Sequence, residues 1–168
     1  LPPVEIQDAP CHEVILTGAD IDGEGKGLDA LPVPISTPGF DVAPYLTATS
    51  CISRDPDTGV QNMGTYRGGI KAPDRIGLKM FVNLRQGGHA HWDKYKSRGE
   101  KMPMAIMVGC PPALAYVSPQ KIREGIDEIA VAGALVGAPI RVVKAKTVDL
   151  MVPADAEIII EGLVDTEM

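Results

Sequence analysis

Asn62 and Arg67 stand five residues apart in the stretch DPDTGVQNMGTYR (55 to 67), on either side of Gly64. A neutral amide ligand and a fixed cation beside a backbone left open by glycine suit a bound anion or a metal–phosphate group. The same residues also fit a solvated hairpin with a salt-bridged arginine, and spacing alone does not choose between the two. Glu128 opens a segment with an apolar face, where an acid either complements the helix dipole or serves as a ligand. Ser118, just before Pro119, can lend a hydroxyl and backbone N–H to a phosphate. His89 and His91 lie two apart in HAHW; on a helix they diverge by roughly 200°, which does not make an i, i+4 metal face.

Several standard arrangements are missing: no GxGxxG opening a helix, no GxxxxGK[ST], no HExxH and no GxSxG. Cys11, Cys51 and Cys110 are scattered without a CxxC pair. That pattern fits reduced thiols acting as small buried hydrophobes in a cytoplasmic protein, not a disulfide framework or a zinc site.

The elements that position these residues read as follows. Asp-Pro-Asp-Thr-Gly (55 to 59) has turn chemistry: Pro56 presets φ, Asp57 can bond its own backbone, and Gly59 tolerates positive φ. The flanks TATSCISR and VQNMGTYRGGI are strand-like, so a hairpin over 44–71 returns Asn62 and Arg67 on one strand. Further strands are expected over 12–18, 77–85 and 102–109, and two or three more over 140–153 and 156–165, separated by Pro153. Gly87-Gly88 breaks the strand before a helix over 89–98. Pro111 and Pro112 open a short helix to Val117, and a better one runs over 126–136 with Ile126, Ile129, Ala130 and Gly133 at helical spacing. Residues 19–39 are a Gly- and Pro-rich loop, part of a lead-in over 1–43. Strands on both sides of a few helices, without regular βα alternation, predict a mainly β, α+β fold: an antiparallel barrel or sheet with helices at its rim.

With 168 residues, 45% of them hydrophobic and 23% charged, this is one domain with a real core, built on aliphatic side chains because aromatics make up only 4%. A net charge of −6 and a pI near 5.0 argue against nucleic acid and anionic membranes as partners. No apolar run has the length of a bilayer span, and no signal peptide opens the chain. Starting at Leu1 and stopping just after the strand-like IIIEGLVDTEM, the sequence reads as a segment of something longer or one piece of a split protein.

Four blocks in register resemble the central domain of the UbiD family of reversible decarboxylases. They are LPVPISTPGFDVAPYLTAT (31 to 49), DPDTGVQNMGTYR (55 to 67), RGEKMPMAIMVGCPPA (98 to 113) continued by GIDEIAVAGALVGAPIRVVK (125 to 144), and VDLMVPADAEIIIEG (148 to 162). The resemblance implies a split antiparallel β-barrel similar to that of flavin reductases, holding prenylated FMN and a divalent metal, Mn²⁺ or Mg²⁺, with K⁺ as a further ion. It implies loss of CO₂ from an aromatic, heteroaromatic or α,β-unsaturated carboxylic acid. Such a loss from an sp² carbon leaves electrons with no place to go unless the cofactor accepts them. A flavin prenyltransferase as cofactor supplier, and a homo-oligomer or the remainder of a split enzyme as partner, are implied too.

By the same resemblance, Asn62 and Glu128 match the metal ligands that bridge to the cofactor phosphate, and hard oxygen donors suit such ions. Met63, Gly64 and Thr65 match the strand against the flavin, and Ser118 matches a residue near the phosphate. Arg67 matches the catalytic arginine of a Glu-Arg-Glu network, where a planar fork can pair carboxylates bidentately. Arg85 and Gln86 fall on the cofactor side, with Gln86 where many members carry a histidine ligand. The family's two catalytic glutamates lie in an EGPFGE-like stretch beyond IIIEG, which this sequence does not reach. Glu157, Glu161 and Glu167 do not replace them, so the segment alone is expected to be inactive. A stand-alone split-barrel flavin or nucleotide binder, and a structural subunit whose barrel mediates assembly, are the competing readings.

Overall fold

In the computed structural model, residues 1–80 and 86–167 are described. Ten strands and three α-helices are assigned among them. The strands are β1 (Val4–Glu5), β2 (Tyr45–Leu46), β3 (Thr49–Arg54), β4 (Gln61–Gly64), β5 (Gly68–Ala72), β6 (Arg75–Leu78), β7 (Met102–Val108), β8 (Arg141–Lys144), β9 (Met151–Pro153) and β10 (Ile158–Val164); the helices are α1 (Gly87–Arg98), α2 (Pro112–Val117) and α3 (Glu128–Val136). The class is mainly β with peripheral helices, as the pattern predicts. The strands form three sheets, ordered β10-β7-β3-β4, β2-β5-β6 and β1-β8-β9. Among the described residues each sheet is open, so no closed barrel is formed.

The four-stranded antiparallel sheet organises the molecule. β3 is paired on both sides, with Cys51, Ile52 and Ser53 opposite Gly64, Met63 and Asn62 of β4 and opposite Ile106, Ala105 and Met104 of β7. The period of two then sorts side chains by face. Ile52, Met63, Ala105 and Met107 pack with Leu114 and Val117 of α2 and Ile129 and Ala132 of α3 in the larger core. Cys51, Met104 and Ile106 pack with Tyr66 and with Tyr95 of α1 in the smaller one. Burial pushes the Cys51 thiol up to about 12, so it is an inert filler. All three cysteines are free thiols.

The hairpin from β3 to β4 turns as its sequence demands, with Gly59 at φ +75°. The carboxylate that bonds the turn backbone is that of Asp55, accepting from Asp57 N at 2.9 Å, and not that of Asp57. Asp57 turns to helix α1, where Arg98 pairs with it and Lys94 reaches it at 3.3 Å. Lys94 also pairs with Asp55 at 2.7 Å. Burial raises the Asp55 carboxyl, but Lys94 and the Asp57 N–H outweigh this and hold it at about 2.

Other boundaries differ from the sequence reading for identifiable reasons. Residues 12–18 form no strand: Val14 and Leu16 are exposed, and the run lacks both period-two alternation and a neighbouring edge. The strand expected over 77–85 is β6, Arg75–Leu78; its remainder includes residues 81–85, which lie outside the described residues. The returning strand of the hairpin stops at Gly64 and does not run on to Arg67. There the Tyr66 carbonyl turns back to accept the Thr49 hydroxyl at 2.5 Å, and the chain leaves for β5 in another sheet. Gly87 and Gly88 open helix α1 instead of merely preceding it. Helix α3 starts at Glu128, because the Asp127 side chain caps it by accepting from Ile129 N at 2.8 Å, and Ile126 is left exposed outside it.

Candidate functional site

β4 and its exit are met by one end of each helix. β4 is the edge strand of its sheet, and its outward Met63 N–H donates to Glu128 Oε2 at 2.8 Å. Glu128 is thus placed at the first turn of α3 and only 5% exposed. Burial raises its carboxyl above the usual range, and the Met63 N–H opposes that rise only in part. An edge strand normally leaves such donors to water. Here a buried carboxylate takes one, and no ion pair joins it among the described residues.

Asn62, one residue earlier, points to the α1 face. The first residue of α1 approaches it so closely that a Cβ on Gly87 would sit 1.9 Å from Asn62 Oδ1. The Asn62 Nδ2 is buried with no hydrogen-bond partner among the described residues. The amide also acts on the neighbouring Tyr66 hydroxyl, opposing the upward push of burial on that phenol, and any further partner of Nδ2 has to be an acceptor, because an amide NH2 only donates. Next along, Thr65 Oγ1 donates to Ser118 Oγ at 2.9 Å, where Ser118 closes the C-terminus of α2 and is itself buried. Tyr66 OH accepts from Gly88 N at 3.0 Å in the first turn of α1.

The sequence-derived residues are therefore placed as follows. Asn62, Met63, Gly64 and Thr65 lie consecutively between the helix ends, and Glu128 and Ser118 each reach this segment directly. Gln86 caps α1 immediately before Gly87, its carbonyl accepting from His89 N at 3.0 Å and Ala90 N at 3.1 Å. Arg67 is exposed just past the bend, with its carbonyl accepting from Lys79 N at 3.2 Å, and no hydrogen bond joins its side chain to Asn62 or Glu128. Arg85 lies outside the described residues. Of two cavities among the described residues, of about 550 and 320 Å³, neither is lined by Asn62, Arg67 or Glu128, although Gln61, Asp127 and Ile129 line the smaller. Among the described residues no cluster of three or more His, Cys, Asp or Glu could hold a metal, so an ion here would draw on an amide oxygen and a carboxylate.

The two histidines diverge as their spacing requires. His89 faces Asp93, at 3.2 Å, while His91 is buried with its Nδ1 2.9 Å from Ser53 Oγ. Glu161 is a structural residue: it accepts the N–H of Lys146 at 2.9 Å and of Thr147 at 2.5 Å, securing the turn between β8 and β9. Tyr66, Gly87 and Gly88 were not singled out by sequence. The only signal was the adjacent glycine pair, which marks a break without saying what approaches it.

This fold, with an end of each helix meeting β4 or its exit, is shared with UbiD-class enzymes of known structure. Residues 3–168 match the family described as UbiD, 3-octaprenyl-4-hydroxybenzoate carboxy-lyase Rift-related domain, and the chain belongs to that family. It is similar to the UbiD-class enzyme HmfF from Pelotomaculum thermopropionicum in complex with FMN, at 36% identity and a TM-score of 0.85, over 96% of this chain and 34% of that one. An evolved dimeric form of HmfF in complex with prFMN matches at 38% identity and a TM-score of 0.75, over 81% of this chain and 31% of that one. Vanillic acid decarboxylase from Sedimentibacter hydroxybenzoicus, in its closed form, matches at 28% identity and a TM-score of 0.85, over 96% and 34%. The chain thus spans about a third of the length of these relatives. No helix among the described residues is long and apolar enough to cross a membrane.

Proposed function

We propose that this chain is the cofactor-holding central portion of a UbiD-like carboxy-lyase that acts on an aromatic, heteroaromatic or α,β-unsaturated carboxylic acid. The observation that carries it is the junction at β4, where the Asn62 amide and the buried Glu128 carboxylate, which accepts from Met63 N, flank one backbone step. A hard divalent cation such as Mn²⁺ or Mg²⁺ fits this donor set, since both side chains offer oxygen. Asn62 and Glu128 would hold the ion. The α1 N-terminus, which carries no acid in its first turn, would favour a phosphate nearby, whereas the α3 N-terminus is already met by Asp127 and Glu128. Thr65 and Ser118 would present hydroxyls along that edge. The split-barrel arrangement similar to flavin reductases belongs to the same reading.

When bound, prenylated FMN supplies the electron acceptor that loss of CO₂ from an sp² carbon requires. The protein's share is orientation and proton handling. Arg67, exposed at the mouth of the bend, would take the substrate carboxylate in its guanidinium fork and align the bond to be broken. Its exposure, in contrast to the buried Glu128, keeps a carboxylate-binding role separate from cofactor retention. Arg67→Ala in the full chain should therefore abolish CO₂ release while leaving bound flavin largely intact, measured as flavin absorbance per protein beside turnover. Undiminished turnover would remove Arg67 from this role, and flavin retained with no CO₂ release by the unaltered chain would favour a flavin-holding module.

A further inference from the structure

Tyr66 is almost fully buried, yet it is held by more than apolar packing. Its ring occupies the space that Cβ atoms would fill on two glycines from different elements. A Cβ on Gly64 of β4 would lie 2.2 Å from the Tyr66 hydroxyl oxygen, and one on Gly88 of α1 would lie 2.7 Å from the ring. Neither glycine has positive φ, so each is present for room and not for backbone freedom. The hydroxyl accepts Gly88 N–H at 3.0 Å, which uses one of the free donors at the start of α1. The Tyr66 carbonyl is fixed separately, by the Thr49 hydroxyl. The phenol is therefore a spacer of fixed length between β4 and the first turn of α1. The residue that abuts Asn62 Oδ1, Gly87, is the immediate neighbour of the residue that Tyr66 holds.

We propose that Tyr66 is a positioning residue for the metal–phosphate site, its phenol wedged between Gly64 and Gly88 so that Gly87 comes to rest against Asn62 and fixes the amide oxygen. The inference rests on the reading of Asn62 as a metal ligand. The hydroxyl matters as much as the ring, because without it a buried Gly88 N–H loses its partner and α1 is free to shift along β4. Partners that orient a metal ligand from behind typically govern metal affinity by about 10–100-fold.

The test titrates the full chain with FMN, with and without Mn²⁺, following flavin fluorescence and the Mn²⁺ electron paramagnetic resonance signal. Tyr66→Phe keeps the ring and removes only the oxygen. Gly88→Ala keeps the oxygen and crowds the ring, and serves should Tyr66→Phe fail to fold. The expected result is loss of the Mn²⁺-dependent part of FMN affinity by about 10–100-fold, with FMN affinity in the absence of Mn²⁺ unchanged. Mn²⁺ enhancement equal to wild type overturns the proposal, and so does an equal fall with and without Mn²⁺, which marks a merely structural role. In either case an Mn²⁺ enhancement in the wild type leaves the metal-ligand reading of Asn62 standing. A wild-type chain whose FMN affinity ignores Mn²⁺ removes both.

Discussion

The two faces of the β10-β7-β3-β4 sheet are made by the same strands and serve different ends. On one, Ile52, Met63, Ala105 and Met107 meet the apolar sides of α2 and α3 in a close-packed core. On the other, Asn62, Ser53 and Gly64 meet α1 through an amide, a hydroxyl and an absent side chain, with His91 and Tyr66 completing the contacts. The first face derives its stability from buried apolar area packed closely against α2 and α3. The second adds to the apolar contacts of Cys51, Met104 and Ile106 with Tyr95 a set of steric and hydrogen-bond constraints on where α1 sits, which is what a ligand-holding constellation needs. Residue alternation along β3 and β4 thus separates stability from chemistry without separating them in sequence.

That contrast can be broken from either side. Leu114→Ala, at a fully buried position on the α2 face, should cost about 2–5 kcal/mol in denaturant unfolding while the molecules still folded bind FMN and Mn²⁺ as before. Altered affinity there would show that the two faces are coupled. Gly87→Ala should do the reverse. The incoming methyl meets the Asn62 side chain and not backbone, so the amide is displaced, Mn²⁺-dependent FMN binding is lost, and stability stays within about 1 kcal/mol of wild type. Unfolding by Gly87→Ala would place the contact in the fold's core and not in the site.

The smallest expected effect is a pH dependence seated on the polar face. Burial lowers the His91 imidazole below its ordinary 6.5, with Lys94 acting the same way and Asp55 and Glu124 opposing. In the window between the lowered folded value and 6.5 the unfolded chain binds more protons, so stability is complete above pH 6.5 and declines as pH falls through that window. His91→Asn should flatten this part of the stability profile in thermal melts. A wild-type profile that is equally flat would mean that His91 titrates normally.

Much of this architecture is legible in the sequence, and the failures are informative. The turn at Asp55–Gly59, the β7 strand, the Pro-opened α2 and the divergence of His89 from His91 all follow from local rules acting within a few residues. What local rules do not contain is which side chain a glycine is making room for. Gly87 and Gly88 read as a break because their partners, Asn62 and Tyr66, come from another part of the chain, and Gly64 reads as room for a ligand where the Tyr66 hydroxyl in fact sits. The end of β4 is hidden for the same reason: Thr49, 17 positions away, draws off the Tyr66 carbonyl. The apolar run at Val14–Leu16 looks like a strand only until one asks what edge it would pair with. Resemblance to a family places Asn62, Glu128 and Ser118 near one another, and the hydrogen bonds of Met63 to Glu128 and Thr65 to Ser118 give that grouping a physical form.

The central claim is that Asn62 and Glu128 together hold the ion beneath a flavin phosphate. Its most direct test is a native mass spectrum of the anaerobically purified full chain beside Asn62→Ala and Glu128→Gln. Glu128→Gln keeps an acceptor for Met63 N–H while removing the buried charge, so it should melt at a higher temperature without ligand than the unaltered chain. The account predicts a wild-type mass increment of FMN plus a prenyl unit and one divalent ion, with both variants losing the ion and most of the flavin. Equal flavin and metal occupancy in all three proteins would contradict it.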